Sequence, residues 1–359
     1  MALHQIFNGI NSSIIPDNLV LLTRSEQFWK NLHISAPLLQ ISWAAFHANQ
    51  PLPNRENTLG RSSLLPLFQE EAASAAMICH AIDVITKAVD FLNQVPVLAC
   101  DQPLYAIAKK VQWNFRTVYS EKKLVVMLGG FHTELAPLKA LGSWIEYSGW
   151  TSVLVQAGVT TPGTADSFLK ALHVSRTRHA HQVTAAVVCV LMEKAYYACR
   201  EGVDEGEEPN SFIKLTIMIF VRSLRKKNFQ LYKDACQSLA SWFFALDCTH
   251  YARWLPVYIR DMECLEIPAV ATELKTGNFV VNKTNPAFFS LPIDQAHEQN
   301  NKIVKGDRGA ICLTDSSTQL LRWMVSGPEI SRIITNVSEN CQEYNETRRA
   351  RTFTPPRAN

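Results

Sequence analysis

A helix-rich α/β fold, with a strand-and-helix core interrupted by a large α-helical insertion, is predicted by three observations. Two short uncharged runs, VPVLAC (95–100) and KLVVML (123–128), read as buried strands, and each passes directly into a helical pattern. Residues 164–275 keep helical periodicity with no strand signal between them. Strand character then returns in NFVVN (278–282) and AFFSLPI (287–293).

Taken in order, residues 1–69 mix Pro, Asn and Ser with apolar pieces and are expected to form a partly disordered arm without visible chemistry. The first half of the core spans 70–163. It opens with a helix carrying Met77, Ala81, Ile85, Val89 and Leu92 on one face. The first strand ends at Asp101, before a helix whose Leu104, Ile107 and Val111 share a face. The second strand ends in Gly129-Gly130-Phe131-His132, followed by a helix that tolerates Pro137 in its first turns. Strand, helix, strand, helix is a layered α/β unit with parallel strands, which places Asp101 and His132 at their carboxyl ends, where open α/β sheets gather functional groups.

The helical insertion (164–275) starts with Thr164 as a candidate N-cap. It includes an apolar helix ended by Gly202, an acidic loop with five carboxylates in 201–208, and three further helical stretches. The second half of the core (276–342) has the returning strands, a helix beginning at Asp294, a short strand GAICLT (309–314) and two more helical segments. The tail 343–359 carries four Arg and two Pro and is expected to be disordered.

Composition bounds the function. The 359 residues carry 35 Lys plus Arg against 32 Asp plus Glu, a net charge of +3, with 47% hydrophobic residues. That is the composition of a globular protein with a sizeable core, and it excludes a uniformly basic surface. Local patches stay open. The most apolar run, Leu215 to Val221, is too short to span a bilayer, and no secretory leader pattern opens the sequence, so no membrane association is expected. Nine Cys without metal-ligand spacing read as reduced thiols, which predicts an intracellular protein, nuclear or cytoplasmic and not secreted.

Six constellations can carry chemistry, and each also has a purely structural reading; one is the cluster of Asp247, His250, Tyr251, Arg253 and Trp254 in residues 247–254, which forms either a site or a helix start. Asp101 is either a metal-binding carboxylate or the N-cap of the helix that follows. His132, in GGFHTEL, binds a metal or phosphate at a strand-to-helix turn, or packs there. His173 to His181 holds Arg176 and Arg178 among three His residues, although His179 and His181 splay on a helix and cannot share an ion. Residues 222–233 hold Arg222, Arg225, Lys226, Lys227 and Lys233 without an acid, beside Phe229 and Tyr232; such a stretch suits a nucleic-acid backbone or a solvated interhelical turn. Asp294, His297, Glu298 and Asn301 form one polar helical stripe. Because position 301 is Asn, the stripe is not a zincin motif.

The blocks DQPLYAIAKKVQW, VVMLGGFHTELAPLKALGSWIEYSGW, TADSFLKALHVSRTRHAHQVTAA, FALDCTHYARWLPVYIRDM and IDQAHEQNNKIVKGDRGAICLT resemble a multi-copy family of mobile-element-derived animal proteins, abundant in cnidarians and other marine invertebrates. That family is similar in turn to transposase-like proteins with a ribonuclease-H-like core. The resemblance covers about residues 90 to 330. It implies a ribonuclease-H-like core with Asp101 as the first-strand acid and Glu298 as the helix-borne acid, joined by His132 in an atypical or remnant site for Mg2+ or Mn2+. It also implies DNA or RNA as partner, contacted by Arg176, Arg178, Arg225, Lys226 and Lys227. Such a core works through carboxylates holding two ions about 4 Å apart. Here the second strand leads to His132 where an acid is required, and neither Asp247 nor Asp294 obviously replaces it. That departure argues against an active nuclease or transposase, and leaves a non-catalytic interaction protein or a decayed copy as the alternatives.

Overall fold

The computed structural model describes residues 43–48, 59–60, 73–90, 92, 94–200, 213–283 and 288–304, with single positions at 318, 326, 329 and 333. The expected arm, the GAICLT strand, the two helical segments after it and the basic tail lie wholly or mostly outside the described residues. Two compact units are present: the first takes in the described residues through Ala296, the second those from His297 onward.

In the first unit, helix α1 (Trp43–Ala48) precedes α2 (Ala75–Asp90). Strand β1 (Val97–Cys100) leads into α3 (Gln102–Asn114), and β2 (Val125–Leu128) into α4 (Gly130–Ile145). β1 and β2 pair in parallel, Val97 opposite Val125 through Cys100 opposite Leu128, as the strand–helix–strand pattern predicts. All four residues of β2 are buried, which is why its sequence is continuously apolar rather than alternating. Pro137 sits inside α4 without ending it. At the eighth position of the helix it removes one intrahelical N–H donor, a local loss that the helix carries.

Every element described between 162 and 276 is a helix: α5 (Trp150–Gln156) precedes the run, then come α6 (Pro162–Leu169), α7 (Val174–Arg200), α8 (Ile213–Arg225), α9 (Phe229–Ala245), α10 (Thr249–Glu263) and α11 (Pro268–Thr276). These helices do not stand apart from the strands. α8 and α9 pack on α4, and α10 packs on both α3 and β2, so one hydrophobic core runs from Tyr105, Val126 and Leu138 through Phe220, Leu239 and Tyr258. α4 and α6 approach closely because position 142 is Gly; a Cβ there would lie 1.9 Å from the Leu169 carbonyl oxygen. A two-residue antiparallel pair, β3 (Val280–Val281) with β4 (Leu291–Pro292), returns the chain to the core. Helix α12 (Ile293–Val304) follows at once and carries the chain across the boundary between the units.

The architecture is therefore helix-rich α/β with few, short strands. Among the described residues no helix is long and apolar enough to cross a membrane.

Candidate functional site

The parallel pairing brings the ends of β1 and β2 side by side, with the Gly129 N–H donating to the Cys100 carbonyl at 2.7 Å. Two carboxylates gather at this corner. Asp101 follows β1 directly, in extended conformation, and its Oδ1 accepts the Leu104 N–H at 3.2 Å, capping α3. Its place is thus that of an N-cap, with Pro103 in the first turn behind it.

The other acid is Asp294, 6% exposed, on the first turn of α12. Its Oδ1 accepts the Phe131 N–H at 3.0 Å; its Oδ2 accepts the His132 N–H at 3.1 Å and meets His132 Nδ1 at 3.0 Å. A carboxylate from the end of the unit thus closes the N-terminus of α4, whose own preceding residue, Gly129, has no side chain to do so. The glycine is required sterically: a Cβ at 129 would lie 2.2 Å from Asp294 Oδ2. Gly130 is nearly as confined, its Cβ position being 3.1 Å from Pro292.

Both carboxylates act on the same two neighbours. Burial, then Asp101, then Asp294 push the Cys100 thiol up to about 12, so it is no nucleophile at neutral pH. Burial and the same two acids raise the hydroxyl of Tyr251, on α10, above the ordinary tyrosine range. Tyr251 is held by stacking on Phe243, with ring centroids 5.0 Å apart. The other members of the 247–254 cluster turn elsewhere: Asp247 and His250 are exposed, and Asp247 takes a left-handed φ of 53° at the turn between α9 and α10.

The third residue of the expected set is placed differently. Glu298 and His297 are exposed and belong to the second unit, whereas Asp294 is buried in the first. The polar stripe of α12 therefore does not serve a single environment, and the acid that joins His132 is Asp294.

Whether this corner suits divalent ions is decided by its oxygens. Both Asp294 oxygens are engaged by donors of α4, and one Asp101 oxygen by α3. Among the described residues no group of three or more His, Cys, Asp or Glu side chains is disposed to hold an ion. A two-ion centre needs carboxylate oxygens that can bridge its ions, and at this corner three of the four carboxylate oxygens already accept backbone N–H groups.

The cationic candidates divide. Arg178 is 8% exposed and forms a two-pronged ion pair with Glu134 (Nε–Oε1 and Nη2–Oε2, each 2.7 Å), so it locks α7 to α4 and offers nothing to a phosphate backbone. Arg225 lies over the rings of Trp43 and Phe288, 5.8 and 5.4 Å from their centroids. Burial and the neighbouring Arg178 draw its pKa down to about 10. Arg176 is exposed. Lys226 and Lys227 are half-buried in the turn between α8 and α9, where Lys227 adopts a left-handed φ of 56° and Asn228 caps α9. Of the histidines flanking Arg178, His179 is exposed and His181 stacks on Trp150 at 4.8 Å, splayed as their spacing requires.

Sequence reasoning did not find Asp294, Tyr251 or Cys100 as members of the corner. The one available signal was the pair of glycines after β2, which leaves a helix start without its own cap and so requires an acceptor from elsewhere in the chain.

Neither a curated protein nor a solved structure matches the chain. A family model described as Domain of unknown function (DUF8702) matches residues 42–214 and 211–352. With well over half of its length matched in this way, the chain belongs to that family.

Proposed function

We propose that the chain is a non-catalytic interaction protein on a ribonuclease-H-like framework of mobile-element origin, in which the acidic corner clamps helices to the sheet instead of holding Mg2+ or Mn2+. One observation carries this reading: both oxygens of Asp294 are spent on the first turn of α4. A carboxylate in that state stabilises a helix end, and any ion would have to share its oxygens with those backbone donors. The burial of Arg178 against Glu134 and the seating of the half-buried Arg225 over Trp43 and Phe288 point the same way, because both cations are engaged within the fold.

The test is calorimetric titration of Mn2+ into the wild type, Asp101→Ala and Asp294→Ala. Equal heats in all three are expected, together with no cleavage of DNA or RNA. A saturable heat lost in both variants, accompanied by cleavage, would replace the clamp with a working metal site. For nucleic acid, a salt-dependent affinity lost in the triple variant Arg176→Glu, Lys226→Glu, Lys227→Glu would restore nucleic-acid association as the function.

A further inference from the structure

A second polar cluster lies at the opposite end of β2 from the acidic corner. A cavity of about 460 Å³ opens there between α3, the 115–123 turn and the end of α10, within the size range of small-molecule sites. Its floor is apolar: Val125, Val126 and Met262 are buried, and Trp113 is held from behind by Trp254, whose ring centroid is 5.8 Å away at an interplanar angle of 21°. Against this floor stands a lysine that is almost fully enclosed. Lys109 is 2% exposed, and its Nζ contacts Gln112 Oε1 at 2.9 Å, Asp261 Oδ2 at 2.8 Å and Glu121.

These three partners are not equivalent. Gln112 is fixed by donating to the Leu124 carbonyl at 2.9 Å. Asp261 is fixed by the Tyr105 hydroxyl, which donates to it at 3.3 Å, and by Arg260. Glu121 is different: its side chain is 44% exposed, it sits on a surface turn, and it reaches inward to Lys109. Of the two carboxylates that meet Lys109 among the described residues, it is the one whose side chain is open to solvent.

We propose that this cavity binds a small phosphate monoester of nucleoside-monophosphate size, whose phosphate displaces Glu121 from Lys109. Charge supports a phosphate over a monocarboxylate. With Glu121 swung away, Lys109, Arg116, Lys122 and Arg260 line the cavity against Asp261 and Glu266, an excess of two positive charges. A phosphate monoester carries about −1.5 to −2 at pH 7. Arg116 supplies the second anchor: its Nε donates to the Trp113 carbonyl at 3.2 Å, and among the described residues it has no carboxylate partner. The apolar floor takes the body of the ligand.

Calorimetric titration of the full chain with adenosine 5′-monophosphate, and separately with inorganic phosphate, tests the proposal. Both are expected to bind, the nucleotide more tightly because only it covers the floor. Arg116→Ala is expected to weaken nucleotide binding about tenfold. Glu121→Gln is expected to tighten it by a similar factor, because the competitor for Lys109 is gone. Glu266→Gln makes the same change in charge at the rim, 3.6 Å from Lys122, without touching Lys109, and is expected to alter affinity less than twofold. All three sites are exposed, so the variants retain the fold. Absence of binding by either probe at millimolar concentration would overturn the proposal. Equal tightening by Glu121→Gln and Glu266→Gln would overturn it too, because only a general positive field would then be at work. The cavity and the acidic corner share no residue, so this experiment can fail while the clamp reading stands, and the reverse.

Discussion

Replacing Asp294 tests the clamp most directly, and its cost follows from the contacts. Asp294→Ala removes the acceptor for two backbone N–H groups at the start of α4 and for the His132 ring. Hydrogen bonds to a charged partner contribute about 1.5–3 kcal/mol each, and water entering the gap recovers part of the loss. A net cost of about 3–4 kcal/mol is expected. Asp294→Asn keeps one acceptor oxygen but turns an NH2 toward a backbone N–H, and is expected to cost about 2–3 kcal/mol. His132→Ala leaves both backbone bonds intact and is expected to cost about 1 kcal/mol. Urea unfolding followed by circular dichroism, with an unchanged m-value, reads the order Ala above Asn above His132→Ala. For a unit of this size, 3 kcal/mol lowers Tm by about 6–12 °C. Gly129→Ala supplies the coupling, because its Cβ would fall 2.2 Å from Asp294 Oδ2. In the double variant with Asp294→Ala the combined cost should fall short of additive by about 1 kcal/mol or more. An Asp294→Asn protein within 0.5 kcal/mol of wild type, or strict additivity with Gly129→Ala, would refute the reasoning.

Other consequences are open to measurement. Glu134→Gln is expected to cost about 3–5 kcal/mol in urea unfolding by leaving the buried Arg178 guanidinium uncompensated, whereas the pair Glu134→Leu with Arg178→Met should cost much less than either single change. Tyr105, Tyr232, Tyr251 and Tyr258 all have hydroxyls raised above 10.0, chiefly by burial, so the native state holds protons that the unfolded state releases. Stability is therefore present in full below pH 10 and falls as pH rises beyond it; absorbance at 295 nm should show these tyrosinates appearing only together with loss of the circular dichroism signal. Iodoacetamide at pH 8 should modify the exposed Cys264 at least a hundredfold faster than Cys100, whose thiol stands at about 12, as read by peptide mass spectrometry.

Local chemistry made much of this fold readable. VPVLAC and KLVVML are short, uncharged and followed by helix starts, and they form the two parallel strands; Asp101 before Pro103 is a helix cap by composition, and it caps. The candidate site was legible only where one residue's environment comes from its sequence neighbours. Arg178 shows the limit. In sequence it stands among His173, Arg176 and His179 and looks like part of a basic patch, yet in the fold Arg176 and His179 face solvent while Arg178 meets Glu134, 44 positions earlier. A helix turns 100° per residue, so adjacent cations enter different surroundings, and charge density along the chain does not report charge density in space.

Asp294 and Glu298 make the same point with more consequence. One helical turn separates them, and both carry a carboxylate on the same stripe of α12. What distinguishes them is a demand made elsewhere: Gly129 and Gly130 leave α4 with two N–H groups and no local acceptor, and Pro292 against Gly130 brings the start of α12 to that gap. The first acid of the helix is buried against α4 and the second is left in solvent. A carboxylate recruited in this way accepts from a helix end, so each of its oxygens already has a backbone donor. The glycine pair that makes the corner accessible to a carboxylate is therefore also what draws Asp294 onto the first turn of α4.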